Sequence, residues 1–570
     1  MRFLIATGLF VVSVVLLMVG LGQRTIWAAP VVTTYSLSNP VDAPFLVIPN
    51  SALSARPGSA ALHVSSNGSL LAVTGRESDI HAWLGRERNA LVGVDAKSGL
   101  LTQKLQGALD SKISPAGSDL WRSESLGNKM LDIVLSRGSQ NAVLVSSDGI
   151  GGAANKVSLT WTIDRDVSLS TGLLIAGGVL LIVAFVFNTL AISKNRKIRG
   201  PRRRLPKPPQ GPKYKVKRNK SAAPARGRHR ARRGGRALGS IAAASLAIGA
   251  LAGCAPAQPT TAVSASASPA VATQAPPAIT RMQLDRILAN VVAVTTAADS
   301  REDKKTLRIR FAGPALALRT VNYKLRKLWN RTTPMPSIAE SPVTFLLPQS
   351  TSSWPRTVMV VTEDKASHSL PQLLVLRQKQ PRDNYKVWYT IPLLPGAKIP
   401  AVPLASAGAI SIAPDSLFLK LKPQNLAFAF GDLINKGTAS QFASKFDVAN
   451  NAFYNLDASN QKSVKASLKS ATVRFEHSLG DQHIESLATT DGGALVAVYM
   501  LDDYIVKAKK SGSAVTVTGE EQKLLKATGS ITGVKSTYGN MLLFYVPPSS
   551  APTGIQLLGA SQGILAVKNL

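Results

Sequence analysis

The sequence predicts a multidomain membrane protein, with an N-terminal all-β, sandwich-like ectodomain between two transmembrane helices and an α+β region at the C-terminal end. Three observations predict this class. Two long uncharged apolar runs flank a stretch of short alternating segments, and 19 Lys and Arg but no Asp or Glu lie between Lys194 and Arg236. After residue 280, helical periodicity followed by strand periodicity occurs twice. A chain of 570 residues is long enough for two or three domains.

The first element, assigned to residues 1–29, is the apolar run from Phe3 to Gly22. About 20 such residues span a bilayer core of roughly 30 Å as a helix. The run is either a retained anchor or a removable signal peptide. The residues after it contain Pro30 and lack a good small-x-small cleavage pair, which favours the anchor.

Residues 30–167 are predicted to form an extracytoplasmic β domain. Short apolar or alternating runs are separated by Gly, Asn, Ser and Pro, at a spacing typical of a sandwich or barrel. Residues 28–167 contain 12 basic and 12 acidic residues, so this part is neutral. The predicted strands are Phe45–Ile48, Leu70–Val73, Leu91–Val94, Met130–Leu135, Ala142–Val145 and Val157–Thr162, with a short helix within 78–90.

A second transmembrane helix is predicted at 168–193, and a basic loop follows at 194–236. Lys and Arg flank the cytoplasmic ends of spans, so this loop is predicted to be cytoplasmic and the β domain to lie outside. The loop has too few apolar residues for a core and is predicted to be disordered. It acts as an orientation signal or binds anionic lipid headgroups. With Tyr214 as its one aromatic residue it offers no base-stacking platform, and no nucleic-acid partner is expected.

Residues 237–254 form a third, milder apolar segment. Ala237–Gly253 follows a basic cluster and has the shape of a signal sequence placed inside a chain. It ends in Leu251, Ala252, Gly253 and Cys254, which resemble a bacterial lipobox. The resemblance implies a diacylglyceryl group on the Cys254 thiol and a cut between Gly253 and Cys254. The alternative is a third span with a small buried Cys.

The surroundings of Cys254 agree with the lipobox interpretation. Residues 255–279 are rich in Ala, Pro, Ser and Thr without charge, which is typical of a flexible tether between lipid and domain. Cys254 is the chain's single cysteine, so an intrachain disulfide is excluded. The overall layout resembles that of uncharacterised actinobacterial membrane lipoproteins.

The C-terminal part is predicted to be two α+β modules, 280–410 and 411–570. The order of helices and then strands resembles two cone-shaped units of the nuclear-transport-factor-like or cystatin-like kind. The predicted helices are Met282–Ala298, Ala315–Trp329, Pro423–Lys436 and Ser459–Leu468. The predicted strands are Val343–Leu347, Thr357–Thr362, Gln372–Arg377, Tyr385–Ile391, Ala494–Met500, Ser513–Thr518, Leu524–Gly533, Met541–Val546 and Gly563–Val567.

A cluster of basic residues is the candidate contact for anionic lipids or envelope polymers; otherwise it is a solvated helix face. The candidate residues are Lys304, Lys305, Arg308, Arg310, Lys324, Arg326 and Lys327. The six His lack ligand spacing, so no metal and no cofactor are expected. Gly559–Gly563 matches the G-x-S-x-G nucleophile motif, but the acid and His that should follow are missing, so we interpret it as a turn.

The sequence therefore predicts a non-enzymatic protein of the bacterial cell membrane, with its large domains extracytoplasmic. The predicted function is binding or scaffolding at the outer face, with the membrane and other envelope proteins as partners. The alternative is a carrier of a small apolar or anionic ligand in the C-terminal modules. Trp354, Trp388 and Tyr389 are either lining for such a ligand or ordinary core and rim.

Overall fold

The structure is a computed structural model that describes residues 2–27, 32–135, 141–148, 152–162, 168–198, 275–364, 370–449, 451–481 and 483–570. The chain divides into two compact units. One comprises Met1–Ala28 and Val167–Ala272, and the other comprises Ala29–Asp166 and Thr273–Leu570. The second unit therefore combines the β domain with the whole C-terminal part, which lie more than a hundred residues apart in sequence.

The helices and strands are numbered in chain order. The helices are α1 (Arg2–Arg24), α2 (Asn50–Leu53), α3 (Glu77–Leu84), α4 (Ser168–Ile198), α5 (Arg281–Arg301), α6 (Lys304–Leu307), α7 (Gly313–Leu328), α8 (Leu426–Lys436), α9 (Ala452–Ser467) and α10 (Gly519–Leu525). The strands of the β domain are β1 (Val32–Ser36), β2 (Phe45–Ile48), β3 (Ser59–Arg76), β4 (Asn89–Asp95), β5 (Leu100–Gln106), β6 (Ser123–Leu135), β7 (Asn141–Ser147) and β8 (Lys156–Thr162). Those of the C-terminal part are β9 (Val343–Pro348), β10 (Arg356–Thr362), β11 (Gln372–Gln378), β12 (Lys386–Pro392), β13 (Ala471–Leu479), β14 (Glu485–Ala488), β15 (Ala494–Ala508), β16 (Val515–Thr516), β17 (Gly529–Ser530), β18 (Val534–Val546) and β19 (Gln556–Asn569).

Within the first unit, α1 and α4 pack against each other as an antiparallel pair. Both contain a stretch long and apolar enough to cross a membrane, Leu4–Arg24 and Ser168–Leu190. Small residues allow close approach, because a Cβ on Gly177 would lie 2.8 Å from the Leu17 side chain. The Ser13 hydroxyl donates a hydrogen bond to the Gly177 carbonyl at 2.7 Å. The two predicted spans are thus helices that associate through small and hydroxylated residues.

The β domain is one mixed sheet in its described residues. A bridge between Leu37, directly after β1, and Leu101 of β5 joins the two end strands, which favours the barrel over the sandwich among the two predicted arrangements. The eight strands run in the order β1-β8-β3-β7-β2-β4-β5, with β6 paired to β3. β2 lies parallel to β4 and antiparallel to β7. All six predicted strands are present, and the short helix predicted within 78–90 is α3.

Both faces of this sheet are buried, as the central strand β2 illustrates. Leu46 and Ile48 belong to one apolar cluster, whereas Phe45 and Val47 belong to another on the opposite face. The second cluster is completed by Trp83 of α3 and by Trp121 from the loop before β6. This loop and α3 form the surface that meets the C-terminal part.

The C-terminal part has the predicted α+β order twice. Helices α5 and α7 precede the antiparallel sheet β12-β11-β10-β9, and α8 and α9 precede the antiparallel sheet β13-β15-β18-β19, to which β14 pairs at β15. Two local predictions are wrong. Leu524–Gly533, predicted as a strand, is the end of α10 followed by β17. The Gly559–Gly563 motif is not a turn but part of β19, paired with β18.

One apolar core crosses the predicted module boundary at residue 410. It contains Leu284 and Leu288 of α5, residues of β10 to β12, and Leu495 and Leu543 of the second sheet. The opposite faces of β15 and β18 pack on Phe430 and other residues of α8. Because β15 and β18 are covered on both faces, the two predicted modules share a core and form a single body together with the β domain.

Candidate functional site

The most heavily buried group of charged residues lies where the β domain meets the C-terminal part. Three carboxylates of the β domain, Asp79, Glu87 and Asp119, are each 1 % exposed. We call them the acidic surface. Opposite them are Arg310, Arg356 and Arg382, which we call the arginine surface. Each carboxylate pairs with one of these arginines.

Asp119, which pairs with Arg310, makes more hydrogen bonds across this interface than Asp79 or Glu87. The two guanidinium nitrogens of Arg310 donate to the two oxygens of Asp119, at 2.5 and 3.3 Å. The backbone N–H of Tyr385 also donates to Asp119 Oδ2, at 2.7 Å. In return, the backbone N–H of Asp119 donates to the side-chain oxygen of Asn384 at 3.0 Å. Such a two-pronged arrangement is the strong, directional form of the Arg–carboxylate pair.

Asp79 joins the two parts through two arginines. Arg356, fully buried, donates to Asp79 Oδ1 at 2.6 Å, and Arg76 donates to Oδ2 at 2.9 Å. Arg76 then continues across the interface, with its other two nitrogens donating to the carbonyls of Pro277 and Ala278 at 3.0 Å each. The guanidinium of Arg356 also lies 3.7 Å from the centre of the Trp354 ring. The Asp79 carboxylate is thus neutralised within a network that spans both parts.

Glu87 and Arg382 form the pair nearest the surface, since the Arg382 side chain is 43 % exposed. Arg382 donates to Glu87 at 3.2 Å and to the carbonyls of Trp83 and Leu84 at 2.8 and 2.9 Å. Those carbonyls form the C-terminal end of α3, which carries a partial negative charge. Burial raises the pKa of Glu87, but hydrogen bonds from Ser111 and Arg382 outweigh burial, so the pKa lies below its ordinary value.

Side chains near the start of α5 donate hydrogen bonds to the backbone of the loop before β6. The helix begins with a capping box, in which the side chains of Thr280 and Gln283 each bond to the other residue's backbone N–H. The same Gln283 donates to the carbonyls of Asp119 and Leu120 at 3.2 and 2.8 Å. Arg286 donates to the carbonyl of Trp121 at 2.5 Å. The local sequence therefore determines where α5 begins. This start places the side chains of Gln283 and Arg286 within hydrogen-bonding distance of the β domain.

Apolar contact and a small cavity complete the interface. Trp354 packs against the apolar cluster that contains Trp83 and Trp121. Beside Arg76 and Asp79 lies a cavity of about 30 Å³, which is large enough to hold water. Aromatic anchors surrounded by Arg pairs are typical of the energetically dominant part of a protein–protein interface. Chemically, this arrangement binds one folded domain to another.

The structure places the basic residues predicted to contact anionic polymers in different surroundings. Lys304, Lys305, Arg308, Lys324 and Lys327 are exposed. Arg326 pairs with Glu302 at 3.2 Å and is partly buried. The prediction is wrong for Arg310, because this residue is buried against Asp119 and does not face solvent. The lipobox residues Leu251, Ala252, Gly253 and Cys254 lie outside the described residues, as do 199–236 of the basic loop.

Sequence reasoning missed the acidic surface. Asp79, Glu87 and Asp119 are three of twelve acids in a neutral domain, with no local pattern that marks them. The arginine surface is also dispersed along the chain, with Arg310 inside a basic run and Arg356 at the start of β10. Trp354 is at the rim of the interface, while Tyr389 is fully buried in the C-terminal core.

A pocket of about 520 Å³ lies in the C-terminal part, near the ends of β15 and β18. Its lining includes Tyr504, Val506, Val515 and Val534, with Lys510 and Glu521 among the polar residues. This volume lies within the range of small-molecule sites, roughly 300–1,000 Å³. Among the described residues, no group of His, Cys, Asp and Glu is arranged to hold a metal ion.

A buried polar cluster lies beneath α9. Asp502 accepts a hydrogen bond from Asn540 Nδ2 at 2.7 Å and contacts His477 Nδ1 at 2.5 Å. Asp457 of α9 is partly buried, and one of its oxygens has no hydrogen-bond partner. Burial and, to a smaller extent, the Asp502 charge raise the pKa of Asp457 to about 6, while His477 acts in the opposite direction.

Replacement of Asp457 by Asn is expected to stabilise the protein in a pH-dependent way. The pKa of about 6 lies above the value of an unfolded Asp, so the folded state holds this proton more tightly and loses stability as pH rises through 6. Asp457→Asn removes the charge, so we expect a gain of about 1 kcal/mol near pH 7.5 and almost none near pH 4. Urea unfolding at both pH values measures this gain in the free energy of unfolding. The exposed Asp415→Asn is the control, and a gain that is equal at the two pH values would contradict the assignment.

Comparison with known proteins places the C-terminal part in a family. No curated protein and no solved structure matches this chain. The model of a domain of unknown function, DUF8094, matches residues 275–569, which is just over half of the chain. The match begins directly before α5 and contains the arginine surface, and it does not include the β domain. The chain therefore belongs to the DUF8094 family.

Proposed function

We propose that this protein is a non-enzymatic scaffold of the bacterial cell envelope, anchored in the membrane, with its β domain and its DUF8094 domain on the extracytoplasmic side and a lipid on Cys254. The observation that carries the proposal is that residues 29–166 and 273–570 form one compact body. Two parts that share buried ion pairs lie on the same side of any membrane.

The order of segments along the chain supports this topology. Helix α1 precedes the β domain and α4 follows it, and the two helices pack as an antiparallel pair. The 19 basic residues of 194–236 begin within the last turns of α4 and continue after it, and they favour the cytoplasmic side for that end. The β domain is then outside, and so is the DUF8094 domain that binds it.

The same topology requires a return crossing. A chain that enters the cytoplasm after α4 must cross the membrane again before α5 begins at residue 281. Between them, Ala237–Gly253 is the apolar run suited to this role, and it ends at Cys254. Insertion of this run as a lipoprotein signal both returns the chain and supplies the lipid. The exposed Lys304, Lys305 and Arg308 then face the envelope, where anionic lipid headgroups and polymers are the expected contacts.

An immunoblot of the full chain with a tag at each end tests this proposal. For the wild type we expect two fragments, one ending at Gly253 and one starting at Cys254. For Cys254→Ala we expect one full-length band, because the thiol that accepts the lipid is absent. Ser245→Ala, in the same apolar run, is the control and should give two fragments. A full-length band in all three variants would refute lipidation and cleavage and leave a protein with a third span.

The pocket of about 520 Å³ favours a second candidate function, carriage of a small ligand. Its lining is mainly apolar, with Lys510 available to an anionic group. A small molecule that copurifies with the chain would favour the carrier, and an empty pocket would favour the scaffold.

A further inference from the structure

The two halves of the folded body are joined mainly by side chains. The segment that connects them along the chain, Val167–Ala272, belongs to the other compact unit. What holds the halves together is therefore the acidic surface on one, the arginine surface on the other, and the hydrogen bonds around them. The interface has the composition of a site between two separate proteins.

We infer that these two surfaces form a self-sufficient binding interface, so that the β domain and the DUF8094 domain remain bound as two separate chains after the segment between them is cut. The biological setting rests on the proposed function, since cleavage before Cys254 would sever the chain at that place. The partner that the arginine surface fits is a β domain that presents three carboxylates.

Burial gives this interface its strength. Asp79, Asp119 and Arg356 are almost completely removed from solvent, so separation of the halves would expose them only after their hydrogen bonds break. Salt screens such buried pairs much less than surface pairs. Dissociation should therefore be slow, and it should remain slow at high ionic strength.

Backbone contacts give the interface its specificity. Gln283 and Arg286 bind carbonyls of residues 119–121, and Arg382 binds the carbonyls at the end of α3. These bonds require a folded loop and a helix end at fixed positions, so an unfolded acidic peptide would not replace the β domain. The partner is thus identified as a folded domain with this loop and helix.

The boundaries of the family agree with a separable domain. The match begins at residue 275, after the connecting segment, and ends at 569. It contains all three residues of the arginine surface, which in this chain are covered by a domain outside the match. The DUF8094 domain of this chain therefore carries a docking site for a partner that is not part of its own fold.

A controlled cut in the purified full chain tests this inference. A protease recognition sequence is inserted between residues 262 and 263 in the Cys254→Ala background, so that neither lipid nor natural cleavage contributes. After the denaturing gel shows complete cleavage, gel filtration in detergent and 1 M salt separates free fragments from a complex. We expect both fragments to elute together.

The Arg382→Ala variant then tests which surface holds the fragments. The Arg382 side chain is partly exposed, so its removal should leave both halves folded. The removal eliminates three bonds across the interface. We expect the fragments to dissociate at least tenfold faster than the wild type. The control, Arg281→Ala, removes an exposed pair with Asp285 within α5 and should leave the rate unchanged.

Two results would overturn the inference. Wild-type fragments that separate after complete cleavage would show that the connection through 167–272 is needed. Equal dissociation rates for Arg382→Ala and the wild type would show that another surface holds the fragments. Neither result depends on lipid or on membrane side, so the immunoblot of natural cleavage and this test fail independently.

Discussion

Asp119→Ala is expected to lower the free energy of unfolding of the folded body by about 3–5 kcal/mol, the usual cost of leaving one partner of a buried ion pair alone. The variant leaves the Arg310 guanidinium buried at 4 % exposure without its carboxylate. It also removes the acceptor of the Tyr385 backbone N–H. Urea unfolding of the solubilised chain, followed by tryptophan fluorescence, measures this loss because Trp121 is close to Asp119 in sequence and structure.

A matched ion pair on the surface provides the control. Asp285 accepts from Arg281 at 2.9 Å, and both side chains are more than half exposed. Because exposed pairs of this kind contribute only about 0–1 kcal/mol, Asp285→Ala should change stability little. Equal losses for the two variants would refute the assignment of Asp119 and Arg310 as a buried ion pair that stabilises the folded body.

Trp121→Ala is expected to have a comparably large effect, about 3–5 kcal/mol, because it removes a large buried ring and leaves a cavity. Trp121 is fully buried, its ring meets Trp83 edge-on at 5.8 Å, and its indole N–H donates to the Pro115 carbonyl at 2.5 Å. Its own carbonyl accepts from Arg286. The substitution keeps this backbone carbonyl but removes the ring that packs the loop into the core, so it weakens the β domain core directly and the interface through the position of the loop. Urea unfolding should show a lower midpoint.

Leu126→Ala is the control for this second variant. Leu126 lies on β6, in the same domain, but is 79 % exposed, so its replacement removes little buried apolar area. We expect a change within about 0.5 kcal/mol, as for other surface positions. If Trp121→Ala were equally mild, the loop before β6 would not be part of the core.

Local patterns were sufficient to predict most of the secondary structure. Leu284, Ile287, Leu288 and Val291 repeat at helical spacing and are fully buried in α5, as predicted. The error at 524–533 has a local cause. Leu524 and Leu525 are adjacent and fit either a helical or a strand period. Glu520 and Glu521, in the first turn of α10, favour the start of a helix.

Long-range structure was predicted less well, and the reason is physical. Alternation along a strand shows which face is apolar but not what covers that face. The strand spacing left a sandwich and a barrel open, and it did not show that α3 and Trp121 cover the Phe45 and Val47 face. The Asp119–Arg310 pair joins residues 191 positions apart, and nothing local distinguishes Arg310 from its exposed neighbours Arg308 and Lys305.

That separation of 191 positions has a consequence for how the protein is made. At a synthesis rate of about 5–20 residues per second, the ribosome needs roughly 10–40 s after Asp119 to produce Arg310. During this interval the β domain exposes three carboxylates and an aromatic patch without their partner. Until Arg310 and the rest of the arginine surface are synthesised, the β domain is thus an intermediate whose binding surface is exposed to solvent.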